Sequence, residues 1–130
     1  MPSAKPTPAL LPDKLTTSPG GVNVLLFSQE GCPFCAIVRE NYLKPMRQSP
    51  PSERIRIAEV ELGSDRELRN WQGQPVSHAE FARALRVRFA PTLLFCDSAG
   101  HELAERIVGL SNDFFGAYLD AAVRKSLAAP

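Results

Sequence analysis

Apolar and polar positions follow two different spacings along this chain, one typical of buried strands and one typical of amphipathic helices. Residues 22–27 read VNVLLF, a short apolar run rich in strand formers, and predict a buried strand. Residues 33–44 place apolar side chains at helical spacing, and the proline that opens them is tolerated in the first turn of a helix. Pro45 is expected to stop or kink this helix, because proline removes a backbone hydrogen bond and its ring clashes with the preceding turn.

A second strand is predicted over residues 54–62, where polar and apolar positions alternate. The alternation changes register near Ala58, which suggests a β-bulge at that point. A strand, a helix and another strand in this order form a βαβ unit, and such units join parallel strands. The first half of the chain therefore predicts two neighbouring parallel strands with a helix packed on them.

Residues 63–76 are polar and irregular, and Trp71 within them is either a packing anchor or part of a partner-facing rim. Ser77 and Glu80 follow with the spacing of a capping box, which predicts a helix to about residue 86. Three arginines cluster around the end of this helix. A solvated face is the simpler interpretation of that cluster, and a docking patch is the alternative. They are Arg83, Arg86 and Arg88.

The last third of the chain completes the predicted sheet. Residues 92–96 form an apolar strand, a turn follows, and residues 101–108 are expected to return as an antiparallel fourth strand. Ser111 or Asn112 is expected to cap a final helix. The predicted fold class is α/β, with a central mixed four-stranded sheet flanked by helices and room for one short extra strand.

Composition is that of an ordinary globular protein: 44% of the 130 residues are apolar, 22% are charged, and the net charge is +1. This balance gives no reason to expect a nucleic acid or a membrane surface as partner, and no apolar run approaches the roughly 18 residues that cross a bilayer. Residues 1–21 contain five prolines and no sustained apolar stretch. We expect them to be a flexible lead-in to one domain over residues 22–130.

Three cysteines, Cys32, Cys35 and Cys96, are too few for a disulfide scaffold and for a four-thiolate metal site. A mixed zinc site with His78 and His101 can be assembled by number alone, but neither histidine has the short pair spacing that such sites use. We therefore expect neither a metal nor an organic cofactor, and we expect both histidines to be solvated. Cys96 ends an apolar strand, where a small buried side chain is the simplest role.

Cys32 and Cys35 form a Cys-x-x-Cys pair between the first strand and the first helix. Cys32 falls at the helix N-terminus, where unpaired N–H groups and the helix dipole stabilise a thiolate, the species that attacks disulfides. Cys35 lies nearly one turn later, on the side predicted to face the core, so its sulfur can reach Cys32. This asymmetry assigns Cys32 as the nucleophile and Cys35 as the resolving cysteine. A pair of unreactive buried thiols is the alternative.

Over about residues 22–123 the chain resembles the thioredoxin family. The resemblance rests on the cysteine motif, on a proline before the third strand, and on residues of that strand and the turns after it: Gly31-Cys32-Pro33-Phe34-Cys35, Ala90-Pro91-Thr92, Phe95, Asp97, Gly100 and Gly109. Residues 63–67, 71–73 and 81–87 are more specifically similar to the periplasmic thioredoxins of the SoxW type.

This resemblance implies a thioredoxin fold and the exchange of disulfides with protein substrates. It implies that the Ala90–Pro91 bond is cis and faces the active-site sulfurs, with the Ala90 backbone free to pair with an extended substrate segment. Pro33 and Phe34 are then the other substrate-facing residues. It also implies a periplasmic location, reached by a signal peptide, with the cytoplasm as the alternative. We expect a monomer that an upstream dithiol donor reduces.

Near the cysteines the chain departs from cytosolic thioredoxins. Leu26 stands six residues before Cys32, where thioredoxins carry a buried aspartate that moves protons for the resolving cysteine. Glu30 and Gly31 precede the motif, where a tryptophan is usual. Glu30 is the candidate proton carrier, although a solvated turn carboxylate is the simpler interpretation.

The leading hypothesis is an enzyme that reduces disulfides in protein substrates. A thiol oxidase or isomerase on the same fold is the first alternative, and a non-catalytic binding module with an idle disulfide is the second. The helix end is the only support for a thiolate that the sequence shows. We therefore expect a reduction potential below roughly −200 mV, on a scale that runs from about −270 mV for thioredoxin to about −120 mV for strong oxidants.

Overall fold

Six strands occur in the part of the chain that the computed structural model describes, residues 20–49, 52–110 and 113–129. In chain order they are β1 (Val22–Ser28), β2 (Ile55–Glu61), β3 (Glu67–Arg69), β4 (Pro75–Ser77), β5 (Thr92–Cys96) and β6 (Ile107–Val108). Four of them form one sheet in the order β2-β1-β5-β6, and β3 pairs with β4 in a separate hairpin.

Both faces of the central sheet are covered. β1 lies parallel to β2 and antiparallel to β5, and all seven of its residues are buried. Val22, Val24 and Leu26 pack in one core, whereas Leu25 and Phe27 pack in another. Alternate side chains of a single strand thus enter two cores, one on each face. The predicted mixed four-stranded sheet and the parallel βαβ pairing are confirmed.

Helices supply the cover on each face. The first helical stretch consists of α1 (Pro33–Ile37), a π-helical turn (Val38–Leu43) and α2 (Lys44–Arg47). It packs in the core of Leu26, together with α4 (Phe115–Leu127), and α3 (His78–Ala84) packs in the core on the opposite face.

Pro45 does not end the first helical stretch. The Lys44 N–H donates to the Arg39 carbonyl, five residues back, so the helix widens in the turn directly before Pro45. A wider turn accommodates a ring that would clash with a regular α-helical turn. The helix then continues to Arg47, beyond its predicted end.

The bulge predicted near Ala58 is wrong. The seven residues of β2 pair one to one with those of β1. The apolar pattern changes because Ile57 packs in one core, whereas Ala58 and Val60 pack in the other. Glu59 follows Ile57 on the first face and is itself buried. A polar residue in a buried position, and not an extra residue, therefore produces the apparent change of register.

The fourth strand is shorter than predicted. Regular pairing with β5 is limited to the two residues of β6, and Glu102 adds one isolated bridge to Cys96. Between them the chain bends, and the carboxylate of Glu102 pairs with the guanidinium of Arg106 at 2.6 Å across the bend. This bend replaces the continuous strand that was predicted over residues 101–108.

Part of the segment predicted to be irregular, residues 63–76, forms the β3–β4 hairpin. Trp71 in this hairpin packs against Phe81 of α3, with ring centroids 5.6 Å apart. It also covers Gly100, where an added Cβ would lie 2.7 Å from the indole nitrogen. Trp71 therefore acts as the packing anchor of the hairpin.

The helix ends agree with the sequence where the structure describes them. Ser77 caps α3 in a capping box, exchanging two hydrogen bonds of 3.0 Å with Glu80. The expected caps of the last helix, Ser111 and Asn112, lie outside the described residues, as do residues 1–19 of the predicted lead-in. Within the described ranges, no helix is long and apolar enough to cross a membrane.

Candidate active site

Three loops meet at the end of the sheet where β1 finishes. The end of β1 pairs with the start of β5 at Thr92, so the loop after β1 and the loop before β5 leave the sheet at the same end. The Leu62 N–H donates to the Ser28 carbonyl at 2.8 Å, which brings the loop after β2 to the same place. Cys32 and Pro91 are thereby carried to one end of the sheet.

Cys32 and Cys35 form a disulfide at the start of α1. Cys32 is the N-cap residue, with extended backbone, and its Sγ accepts a hydrogen bond of 3.1 Å from the Cys35 N–H. Once the disulfide is reduced, this N–H and the positive end of the helix stabilise a thiolate. Cys32 is partly exposed, whereas Cys35 is completely buried. The site thus has one accessible sulfur and one shielded sulfur.

The residues predicted to face the substrate differ in exposure. Pro33 and Phe34 are both exposed, Phe34 to 55%. Ala90 is partly buried and Pro91 is buried, and the peptide bond between them is cis. The Pro91 carbonyl accepts a hydrogen bond of 2.7 Å from Gly109, which fixes this loop to the chain after β6. The site therefore combines a fixed loop with an exposed aromatic ring next to the disulfide.

Glu30 lies exposed in the turn between β1 and α1. The Cys32 N–H closes this turn on the Gln29 carbonyl at 3.2 Å, and Gly31 has a φ of 76°, a region that other residues rarely adopt. Glu30, the candidate proton carrier, is therefore at the surface, whereas the resolving cysteine that it would serve, Cys35, is buried.

A buried ion pair that the sequence did not predict lies on the face of the sheet covered by the first helical stretch and α4. Glu59 of β2 is directly paired with Leu26 of β1. The Glu59 carboxylate accepts hydrogen bonds from Nε and Nη2 of Arg39, at 2.8 and 2.6 Å. Arg39 is four residues after Cys35, about one helical turn. Glu59 supplies a buried carboxylate one strand away from the position where thioredoxins carry their aspartate.

The electrostatics of this pair follow from its geometry. The hydrogen bonds to Glu59 raise the pKa of Arg39, against the opposing effect of burial. Both carboxylate oxygens of Glu59 are engaged by the guanidinium, a bidentate arrangement that is among the strongest hydrogen-bonded contacts in proteins. The sequence did contain one indication of this pair, a glutamate at a position of the strand that faces the core. A buried carboxylate is costly unless a charged partner lies beside it.

Cys96 is fully buried in β5, and burial raises its pKa to about 12. At neutral pH its thiol is therefore protonated as well as shielded, and only the thiolate attacks disulfides. These properties match the structural role expected from the sequence.

His78 is buried, contrary to the expectation that it is solvated, whereas His101 is exposed. The Nδ1 atom of His78 accepts a hydrogen bond of 3.1 Å from the Glu61 N–H, so His78 joins α3 to the end of β2. Burial, and then the positive charge of Arg66, lower the pKa of His78 from 6.5 to about 4.

This buried histidine predicts a loss of stability in acid. Between pH 6.5 and about 4 the unfolded chain takes up a proton at His78 that the folded protein does not, so the free energy of unfolding falls by about 3 kcal/mol. His78→Asn keeps an acceptor near Nδ1 but does not titrate. Urea unfolding at pH 7 and pH 4 should show a loss for the wild type that exceeds the loss for His78→Asn by about 3 kcal/mol. Equal losses of stability in the two proteins would show that buried His78 is not the cause of destabilisation in acid.

Solved structures with this fold are similar over most of the chain. A thioredoxin-fold protein from Helicobacter pylori has a TM-score of 0.66 and 16% identity, with 93% of this chain and 81% of that chain covered. Thioredoxin Mala s 13 from Malassezia sympodialis has a TM-score of 0.58 and 18% identity, with coverage of 92% and 80%. The periplasmic thioredoxin SoxS from Paracoccus pantotrophus has a TM-score of 0.54 and 18% identity, with coverage of 81% and 98%.

At these identities the structures establish the fold alone. No curated protein is significantly similar to this chain. The sequence itself matches the thioredoxin-like domain family over residues 14–122, a span that contains every strand and three of the four α-helices described above. The sheet order and the Cys32–Cys35 disulfide are consistent with this sequence match. The chain belongs to the thioredoxin-like domain family.

Proposed function

We propose that this protein is a thiol–disulfide oxidoreductase that reduces disulfides in protein substrates. The observation that carries the proposal is the asymmetry of the cysteine pair. Cys32 caps α1 and is partly exposed, whereas Cys35 is completely buried and within bonding reach of it. A structural disulfide has no need of an accessible sulfur at a helix N-terminus, whereas an exchange reaction requires one.

The reaction proceeds in two exchanges. In the reduced protein the Cys32 thiolate attacks one sulfur of the substrate disulfide, which forms a mixed disulfide and releases the other substrate sulfur as a thiolate that takes up a proton. The Cys35 thiol loses its proton and attacks Cys32 Sγ, which releases the second substrate thiol and closes the Cys32–Cys35 disulfide. Two electrons pass to the substrate, and an upstream dithiol donor returns them to the protein.

Substrate binding is assigned to the surface around the cysteines. Phe34 and Pro33 are exposed beside them, and the Ala90–Pro91 loop leaves the sheet at the same end. An extended substrate segment would pair with the Ala90 backbone in a strand-like manner. Glu30, exposed in the turn before Cys32, is the candidate proton carrier of the reaction.

A periplasmic location and a SoxW-type role are part of the proposal. They are supported by the similarity of residues 63–67, 71–73 and 81–87 to those thioredoxins, and by the structural likeness to a periplasmic thioredoxin. The partners would be protein disulfides outside the cytoplasm and a dithiol donor that reduces this protein.

The test is reduction of insulin disulfides by the protein in the presence of dithiothreitol. The wild type should accelerate the reaction, and Cys32→Ser should not exceed the reagent alone. A redox titration against glutathione should give a potential below roughly −200 mV. A potential near the oxidant end, about −120 mV, would favour the oxidase, and absence of turnover with a native fold would favour the binding module.

A further inference from the structure

An open cavity of about 370 Å³ lies between the loop after β2 and the C-terminal end of α3. Leu62 and Gly63 line it from the loop. The three arginines of the cluster noted in the sequence, Arg83, Arg86 and Arg88, line it from the helix end. We call this the arginine cavity. Its size is in the range of clefts that bind small ligands or a few residues of a peptide.

The positive charge of the arginine cavity is not neutralised within the described residues. None of the eight residues that line it is acidic, and none of the salt bridges in the described ranges involves its three arginines. All three arginines are exposed. The net charge of the chain is only +1, so this is a local concentration of charge and not a property of the whole surface.

Arg86 holds a backbone position that favours glycine. Its φ is 59°, in the left-handed region. The Val87 N–H donates to the Ala82 carbonyl and the Arg86 N–H to the Arg83 carbonyl, both at 3.0 Å, the two bonds of a Schellman motif. Glycine fits this position without strain, whereas arginine does not. A strained residue that adds charge to a cavity points to a use for that charge.

The arginine cavity lies at the end of the sheet that carries the cysteine pair. Leu62 is hydrogen-bonded to Ser28, the last residue of β1, and the turn to Cys32 begins there. Arg88 is three residues before Pro91, in the loop assigned to substrate. A substrate bound at Cys32 would therefore lie at the same end of the sheet as the cavity.

We propose that the arginine cavity binds acidic residues of the protein substrate, in the segment that flanks its disulfide. This proposal rests on the proposed function and adds a substrate class to it. Guanidinium groups form charge-assisted hydrogen bonds with carboxylates, and an uncompensated positive patch accelerates the association of an acidic partner. Substrates with basic flanks are bound more weakly by the same site.

Peptide binding tests the proposal without turnover. Two peptides of identical length, with serine in place of cysteine and either four glutamates or four lysines as flanks, are titrated into the oxidised protein by calorimetry. The glutamate peptide should bind the wild type about tenfold more tightly than the triple variant Arg83→Gln, Arg86→Gln, Arg88→Gln, and added salt should remove the difference. The matched control also removes three positive charges, at exposed positions outside the cavity, and should bind like the wild type: Arg47→Gln, Arg56→Gln, Lys125→Gln. Equal binding of the two peptides to the wild type would overturn the proposal.

Turnover of the corresponding disulfide-bridged peptides separates this proposal from the proposed function. The ratio of kcat/KM for the acidic and basic peptides should fall about tenfold in the triple variant. Cys32-dependent reduction of the basic peptide should be at least as fast as in the wild type, because its lysines no longer face three arginines. Arg86→Gly relieves the left-handed position, so it should fold at least as stably as the wild type and still lose part of the preference. An unchanged ratio with intact turnover rejects the arginine cavity alone. Failure of the wild type to reduce either peptide rejects the proposed function, and the binding result then decides the cavity by itself.

Discussion

Cys35→Ser is expected to accumulate disulfide-linked complexes with substrate proteins, whereas Cys32→Ser is expected to accumulate none. In the proposed reaction the accessible sulfur at the helix end forms the mixed disulfide, and the buried sulfur of Cys35 is needed to release it. Without Cys35 the reaction therefore stops at the covalent intermediate. Non-reducing electrophoresis followed by mass spectrometry measures the complexes, and their disappearance on addition of dithiothreitol confirms the bond.

The order of attack also predicts the reactivity of the free thiols. The helix dipole acts within the first turn and the Cys35 N–H points at Cys32 Sγ, so Cys32 should have the lower pKa and the faster alkylation near neutral pH. Cys35 should react slowly because it is fully buried. Cys96→Ala provides the background for both experiments, since it removes the third thiol and should leave turnover nearly unchanged. Faster alkylation of Cys35, or complexes with Cys32→Ser alone, would show that the roles are reversed.

The sequence predicted the parts of the site that depend on local chemistry. A proline after Cys32, an apolar strand before it and a capping box at Ser77 each act over a few residues, and each was found where the pattern placed it. Cys35 was expected on the core side from its helical spacing, and it is fully buried. Such features need no knowledge of distant partners.

Features that depend on distant partners were missed. Glu59 and Arg39 are 20 residues apart in sequence and meet only after the helix packs on the sheet. Because the sequence does not reveal Arg39 as the partner of Glu59, the glutamate in an apolar strand was interpreted as a change of register near Ala58. The left-handed backbone of Arg86 was not predicted for a related reason: glycine usually marks a left-handed helix end, and an arginine there gives no such indication. The buried ion pair and the left-handed arginine are both locally unfavourable, and stabilising interactions elsewhere in the fold offset their cost.

Arg39→Met is expected to lower the free energy of unfolding by about 3–5 kcal/mol, the usual loss when one partner of a buried ion pair is removed. The side chain of Glu59 is 1% exposed, so its carboxylate would remain in the core without its counter-charge. Glu59→Gln should have a smaller effect, about 1–3 kcal/mol. The Arg39 side chain is 21% exposed, so in Glu59→Gln water can replace some of the hydrogen bonds that the guanidinium loses. The specific expectation is that Arg39→Met lowers the free energy of unfolding more than Glu59→Gln does.

Urea unfolding of the oxidised proteins at pH 7 measures these differences. The exposed pair of Arg124 and Asp120 is the matched control, with side chains 73% and 66% exposed. Arg124→Gln should therefore change the free energy of unfolding by about 0–1 kcal/mol.

The double variant Arg39→Met, Glu59→Leu separates the charge from the packing. Removing both charges together leaves no buried ion, so its stability should return to within about 1–2 kcal/mol of the wild type. The coupling energy of the double-mutant cycle should accordingly be large compared with that of two independent sites. Because Arg39 lies one turn beyond Cys35 and Glu59 belongs to β2, this ion pair attaches the helix that carries the cysteines to the edge strand next to β1. Additive effects of the two single variants would show that the contact contributes nothing specific, and that the helix is held by apolar packing alone.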